Sequence, residues 1–295
     1  MAHHHHEVSG KNLFITIILN LIITIAEIIG GIFSNSLALL SDALHNFSDV
    51  MALVIAYIAN RLAGKDSTES NTFGLKRAEI IAALFNSSVL IGIGVFLIVE
   101  SVHKIMHPEH IKSLWVIGFG VLSVVLNSAS VLLIKDDSHD NLNMKAAYLH
   151  LLTDVATSIA VIIGGVLIYY FKIYSVDAII SLLIAIYLIY SAFDIVKDST
   201  KILMQYSPKN LNLDEVIKDI ESNEKISDVH HIHIWQLNEH DVFLEAHIDL
   251  KENINASEIS KLIDELEKEM QKFHITHTTF QVEYNRNDNK EKIIK

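Results

Sequence analysis

The sequence predicts an α-helical membrane protein with six transmembrane helices, followed by a small C-terminal α+β domain. Three observations carry that prediction. Six apolar runs are each long enough to cross about 30 Å of hydrocarbon. Hydrophobic residues make up 51% of the 295 positions and the mean hydropathy is +0.34, high for a soluble chain. Beyond Pro208 the long apolar runs give way to period-two strands and a charged helix.

The spans are expected at 12–33, 36–62, 78–103, 113–134, 144–171 and 176–199. Residues 1–11 form a histidine-containing tail, and His3 to His6 read either as a purification tag or as a native metal-gathering segment. The start lacks the pattern of a removable signal peptide, so the first apolar stretch is read as a retained span. Loop charges set the orientation. One side carries Lys11, Arg61, Lys65, Lys76, Arg77, Lys135, Lys145, Lys197 and Lys201; the other carries Lys104, Lys112 and Lys172. Nine against three places both termini, and the C-terminal domain, in the cytoplasm, with the helices in the cell (inner) membrane.

A linker over 200–212 leads to a domain over 213–285 and a charged tail over 286–295. The domain reads helix 213–222, strand 228–236, strand 242–250, helix 256–272 and strand 277–284, a cytoplasmic α+β sandwich of ferredoxin-like (metallochaperone-like) class. In the second strand Val242, Leu244, Ala246, Ile248 and Leu250 point one way, Phe243, Glu245, His247 and Asp249 the other. From Pro208 onward 19 acidic residues face 11 basic ones, a net of −8 out of the chain's −12. Such a surface repels nucleic acid and attracts divalent cations.

The chain has no cysteine, so a metal must be held by nitrogen and oxygen. The second span contains His45-x-x-x-Asp49, and the fifth repeats the pattern 105 residues later as His150-x-x-x-Asp154. Four residues apart on a helix, the two side chains of each pair share one face. Two such helices face to face offer two imidazoles and two carboxylates, a donor set suited to tetrahedral Zn(II) and unsuited to Mg²⁺ or Ca²⁺, which take six or more oxygens. The bland alternative is that these groups stitch helices together. An aspartate at mid-bilayer costs about 2.5–3.5 kcal/mol, so two of them in register with histidines ask for a function that repays the cost. A metallohydrolase or a membrane zinc sensor is the rival from another class, but four ligands leave no open position for a catalytic water, and the chain has no His-Glu-x-x-His helix. Because histidine must be neutral and aspartate ionised to bind metal, protons and metal compete for the site. The expected activity is proton-coupled zinc efflux by alternating access; the first rival within transport is a broader exporter of cadmium or cobalt.

At these residues the chain resembles the cation diffusion facilitator family of metal-ion/proton antiporters. The matching segments are Ser41-Asp42-Ala43-Leu44-His45-x-x-x-Asp49, Phe73-Gly74-x-Lys76-Arg77-Ala78-Glu79, His150-x-x-x-Asp154 and Val229-His230-x-x-His233-Ile234-Trp235. The resemblance implies a homodimer in the lipid bilayer whose halves rock between inward- and outward-facing states, with divalent transition metals as substrate and protons as counter-ion. It also implies a cytoplasmic metal site at His230, His247 and Glu283. The residues alone read differently at His230, which is in phase with Ile232 and Ile234 and so reads as a satisfied edge histidine. His231, His233, His274 and His277 are further candidates there. Residues 64–76 contain no histidine, so no site is expected in that loop, and Arg77 either meets an acid or simply follows the positive-inside pattern. Within the spans Glu27, Glu100, Asn20, Asn86 and Asn127 line the ion path or bond neighbouring helices, and Asp42 is a candidate relay. Asp177 reads as interfacial, and His103, His107 and His110 as an exposed loop cluster or a weak exit site.

Overall fold

The computed structural model describes residues 10–135 and 142–293; His3 to His6 lie outside the described residues. Among them six helices are long and apolar enough to cross a membrane: α1 (Gly10–Ser34), α2 (Leu37–Ala63), α3 (Ala78–Met106), α4 (Ser113–Ile134), α5 (Leu142–Phe171) and α6 (Ser175–Leu203). The chain divides into two compact units, one of residues 1–58 and 83–196, the other of residues 59–82 and 197–295.

The first unit is built inside out relative to a soluble protein. Phe33, Tyr57, Phe85, Leu132 and Tyr190 are exposed, whereas Glu27, Asp42, His45, Asn46, Ser123, Asn127, Asp154 and Ser158 are buried. Apolar side chains gain nothing by hiding from lipid, so the interior collects the groups that lipid cannot solvate. Small residues let the helices approach: a Cβ added at Gly120 of α4 would lie 2.7 Å from Ile162 Cγ1 of α5.

The α1–α2 corner gives Asp177 partners that the sequence reading did not name. Asn35 turns the chain in the left-handed region (φ 60°), and Ser36 caps α2 by accepting from Leu39 N at 3.1 Å. Asp177 takes part in that corner. It is 2% exposed and completes that cap from the start of α6, with Oδ2 accepting from Leu37 N (2.6 Å) and Ala38 N (3.2 Å) and Oδ1 from Ser36 Oγ (2.5 Å). A carboxylate suits the positive end of a helix, and here it satisfies amides that hydrocarbon cannot.

The second unit holds α7 (Leu213–Glu221), β1 (Ile226–Gln236), β2 (Val242–Leu250), α8 (Ala256–Met270), a 3₁₀ turn (Gln271–Phe273) and β3 (His277–Glu283). The sheet order is β1-β2-β3, with β1 antiparallel and β3 parallel to β2. Asn212 caps α7, and an Asn255/Glu258 capping box starts α8. Val216, Ile220, Leu262, Leu266 and Met270 pack on the alternating apolar face of β2. The loop at 64–77 belongs to this unit. Lys76 Nζ reaches Asp241 Oδ2 at 2.7 Å and Phe73 packs edge-on against Phe243, while Arg77 Nε has no hydrogen-bond partner.

Two register shifts in β1, between Ile226 and Asp228 and between His230 and His233, settle where its histidines point. The second contains His231 at φ 50°. Ile232 and Ile234 stay on the core face, but the extra residue puts His230 out of phase with them and opposite His247. The reading of His230 in phase with Ile232 and Ile234 is therefore overturned, because alternation cannot be counted through a bulge.

Replacing Asp177 with Ala should leave the Leu37 and Ala38 amides unpaired and lower the stability of the protein by about 1–3 kcal/mol. Thermal unfolding in detergent checks this, and an unchanged midpoint would show that the cap is dispensable.

Candidate metal centre

His45 and Asp49 project from α2, and His150 and Asp154 from α5. One ligand atom of each lies within 4.8 Å of the others. His45 Nδ1 is 3.5 Å from Asp49 Oδ2, His45 Nε2 3.5 Å from Asp154 Oδ1, and His150 Nε2 3.2 Å from Asp49 Oδ2. Tetrahedral bonds of about 2.0–2.2 Å put neighbouring ligand atoms roughly 3.3–3.6 Å apart, close to the His45 Nε2–Asp154 and His150 Nε2–Asp49 separations; an imidazole binds one ion through one nitrogen, so His45 would use only one of its two contacts. His45 and Asp154 are 3% and 0% exposed, while His150 keeps 42% of its side chain open. That asymmetry leaves the cluster open on the His150 side.

The donors also share a deficit. Both nitrogens of His45, Asp49 Oδ2 and both oxygens of Asp154 are buried without a hydrogen-bond partner. Buried polar atoms in native structures nearly always have partners, and orphaned ones call for an ion or a functional explanation. Apart from the one N–H that a neutral His45 carries, these orphans are Lewis bases, and they belong to the four residues of one donor group.

A polar network buttresses the cluster. Asp42, fully buried, accepts from Thr157 Oγ1 at 2.8 Å and Ser158 Oγ at 2.9 Å. Thr157 Oγ1 also lies 2.9 Å from the Asp154 carbonyl. Ser158 contacts Ser123 at 3.0 Å, Ser123 donates to Glu27, and Glu27 accepts from Asn46 Nδ2 at 2.8 Å. Each serine has one hydroxyl hydrogen, so the contacts Glu27–Ser123, Ser123–Ser158 and Ser158–Asp42 are all hydrogen bonds only when one carboxyl supplies a further hydrogen. Glu27 and Asp42 thus end one wire from α1 through α4 and α5 to α2.

The C-terminal domain gathers a second cluster: His230, His247, Glu283 and Asp288. His230 Nε2 is 3.6 Å from both Glu283 Oε2 and Asp288 Oδ2, and His247 Nδ1 is 3.0 Å from Glu283 Oε1. Nδ1 of His230 faces Asp228 (3.3 Å) and Asp249 (3.7 Å). Burial holds the His247 imidazole below the usual histidine range in spite of Glu283, which keeps it neutral and able to bind metal. His231 packs its ring against His247. His233 is exposed, His274 sits in a left-handed turn, and His277 stacks on Phe243; none of these three is in the cluster. His103 and His107 stack on each other and His110 on Tyr174, outside any such group among the described residues.

Two family domains cover most of this frame: residues 13–204 match the cation efflux transmembrane domain, and residues 208–285 the cytoplasmic domain of cation efflux proteins. The chain belongs to the cation efflux family, the cation diffusion facilitators. It is 35% identical over 286 residues to the "Cadmium, cobalt and zinc/H(+)-K(+) antiporter" of Bacillus subtilis, covering 96% of this chain and 92% of that protein. It is 32% identical to the metal cation efflux system protein CzcD of Cupriavidus metallidurans (96% and 90% covered). With the zinc transporter ZitB of Pectobacterium atrosepticum the identity is 31% (98% and 91%). This cation efflux protein is therefore an integral membrane transporter of metal cations and not an enzyme.

Sequence reasoning missed Asp288. Its only signal was its place in a tail dense in charge, and nothing in the periodicity says that such a tail folds back on the sheet.

The network yields a stability test. Asp42→Leu removes the acceptor that Thr157 and Ser158 share across the helices, leaving Thr157 the Asp154 carbonyl and Ser158 the Ser123 hydroxyl, and should cost about 1–3 kcal/mol, whereas Asp42→Asn keeps an acceptor and should cost much less. Equal losses in thermal unfolding of the two variants in detergent would refute the bonded role of Asp42.

Proposed function

We propose that this cation efflux protein exports zinc from the cytoplasm in exchange for protons. Zn(II), the substrate, is bound in the membrane by His45, Asp49, His150 and Asp154, which face the two sides alternately. The observation that carries the reading is the four-donor cluster itself: two imidazoles and two carboxylates whose ligand atoms lie within 4.8 Å of one another, with those of His45, Asp49 Oδ2 and Asp154 lacking hydrogen-bond partners.

Proton coupling follows from the ligands. On the cytoplasmic side zinc displaces protons from the imidazoles and carboxylates; on an acidic outer side protons displace zinc. Moving one positive charge outward against 100 mV costs about 2.3 kcal/mol, and each returning proton recovers the same amount plus its pH-gradient share. The Bacillus relative's description as an H(+)-K(+) antiporter supports the coupling. The loop charges support an inner-membrane orientation with both termini in the cytoplasm, and the matched C-terminal domain supports a homodimer.

In the C-terminal domain we assign His230, His247 and Glu283 as a cytoplasmic metal site that senses the metal to be exported. A broader substrate range, including cadmium and cobalt, has one specific support: the Bacillus relative's description includes both, and the same nitrogen and oxygen donors accept them.

Reconstituted vesicles test the proposal. Zinc added outside vesicles loaded with a pH dye should drive proton flux in the unaltered protein, and both Asp49→Ala and Asp154→Ala should abolish it. Flux that persists in both variants, or zinc binding without any flux in the unaltered protein, would reject the membrane cluster as the transport site. Running cadmium and cobalt in parallel distinguishes the narrow exporter from the broad one.

A further inference from the structure

The segment after β3 is not a free tail. β1 is an edge strand, and its bulged edge is covered by residues 291–292: the His231 amide donates to the Glu291 carbonyl at 3.1 Å and the Ile232 amide to the Lys292 carbonyl at 2.8 Å. Lys292 anchors the strap, its Nζ lying 2.7 Å from Asp228 Oδ1, 2.5 Å from Glu221 Oε1 and 2.6 Å from the Val229 carbonyl.

Lys290 lies inside the donor cluster. Its Nζ is 2.7 Å from Asp249 Oδ2, 3.5 Å from Glu283 Oε2 and 3.5 Å from His230 Nε2, and it also bonds Asp288. Three carboxylates and one imidazole thus converge on a single ammonium, the arrangement they would offer a metal ion. The histidine makes this more than an acidic patch. His230 is 0% exposed, and its Nδ1 has no hydrogen-bond partner although it points between Asp228 and Asp249.

We propose that the segment 286–293 is an exchangeable part of the C-terminal cation site: Asp288 is the fourth metal ligand, and the Lys290 ammonium holds the donors together until a divalent metal takes its place. The inference rests on the reading of His230, His247 and Glu283 as a metal site. Ammonium and metal cannot share the cluster. An ammonium bonds oxygen at about 2.7–2.9 Å, whereas zinc draws the same atoms to about 2.0–2.2 Å and would meet a like charge. Without either cation, Asp249, Glu283 and Asp288 would repel one another in a half-dry site. Metal binding therefore has to expel Lys290. The domain's apparent metal affinity is set by how often the lysine is out, because affinity scales with the fraction of the competent state. The tail becomes a threshold device: it keeps the site closed to trace metal and is released when metal is abundant.

The test is a zinc titration of the full chain in detergent against a chromophoric chelator, with the C-terminal component defined as the binding lost in His247→Ala. Lys290→Gln should tighten that component about tenfold, the gain expected if the lysine occupies the site roughly nine-tenths of the time. Lys290→Arg keeps a cation on the tail and should stay near the unaltered chain. Asp288→Asn should weaken the component about 10–100-fold, as losses around metal ligands do. If Lys290→Gln leaves zinc affinity unchanged or lowers it while His247→Ala still removes the component, the exchange is wrong and the site stands. If Asp288→Asn binds as tightly as the unaltered chain, Asp288 is not a ligand. Should the unaltered chain show no His247-dependent component, the metal-site reading fails and the exchange fails with it.

Discussion

The cost of keeping Asp154 inside the membrane governs the architecture of the first unit. Its side chain is 0% exposed and both carboxylate oxygens are without a hydrogen-bond donor. A charge so placed is tolerated in hydrocarbon only if other groups compensate it. The compensation is two imidazoles brought from α2 and α5, and bringing them there requires the helices to pack closely. Gly120 on α4 and its contact with Ile162 on α5 belong to the same requirement. So does the Asp177 cap that fixes where α2 begins, since a helix that starts one residue later turns His45 and Asp49 by about 100°.

The hydroxyl network is a second layer of that support. Thr157 and Ser158 follow Asp154 by three and four positions, so they lie on its helix face, and both bond to Asp42 on the opposite helix. The pair of helices is thereby tied one turn beyond the candidate metal donors, and His45 and Asp154 are held in register by bonds that do not use their own side-chain nitrogens and oxygens. Those atoms stay free of the network.

Much of this was legible in the letters because it obeys a period. Six apolar runs give six helices, since the bilayer sets one length for all of them, and a His-x-x-x-Asp spacing gives one face because 3.6 residues make a turn. What escaped was aperiodic. Asp177 looks like an ordinary first-turn acid of α6; its real partner is the start of another helix, 140 residues away in sequence. His230 defeats alternation because a bulge with His231 at φ 50° shifts the phase, and no residue type in that run announces the shift. Asp288 and Lys290 lie in a segment whose composition reads as solvated tail, and only the free edge of β1 makes it a strand-like cover.

The two clusters use similar donors and balance their charge in opposite ways. In the membrane, two aspartates face two histidines. Add two protons and the four groups sum to zero; remove them and add Zn(II), and they sum to zero again. Under the proposed exchange the buried cluster is neutral at both ends of the cycle, so neither loaded form carries the cost of a net charge in low dielectric. The C-terminal cluster has no such symmetry. Around the single imidazole of His230 stand Asp228, Asp249, Glu283 and Asp288, more negative charge than its histidines can match by taking protons, and lysines of the tail make up the difference. A proton leaves a site through water or a hydroxyl, whereas a lysine leaves by swinging its long side chain or by moving the segment that carries it. Under the two proposals the membrane cluster turns over, and the C-terminal cluster converts an ion into a displacement of the lysine and its segment.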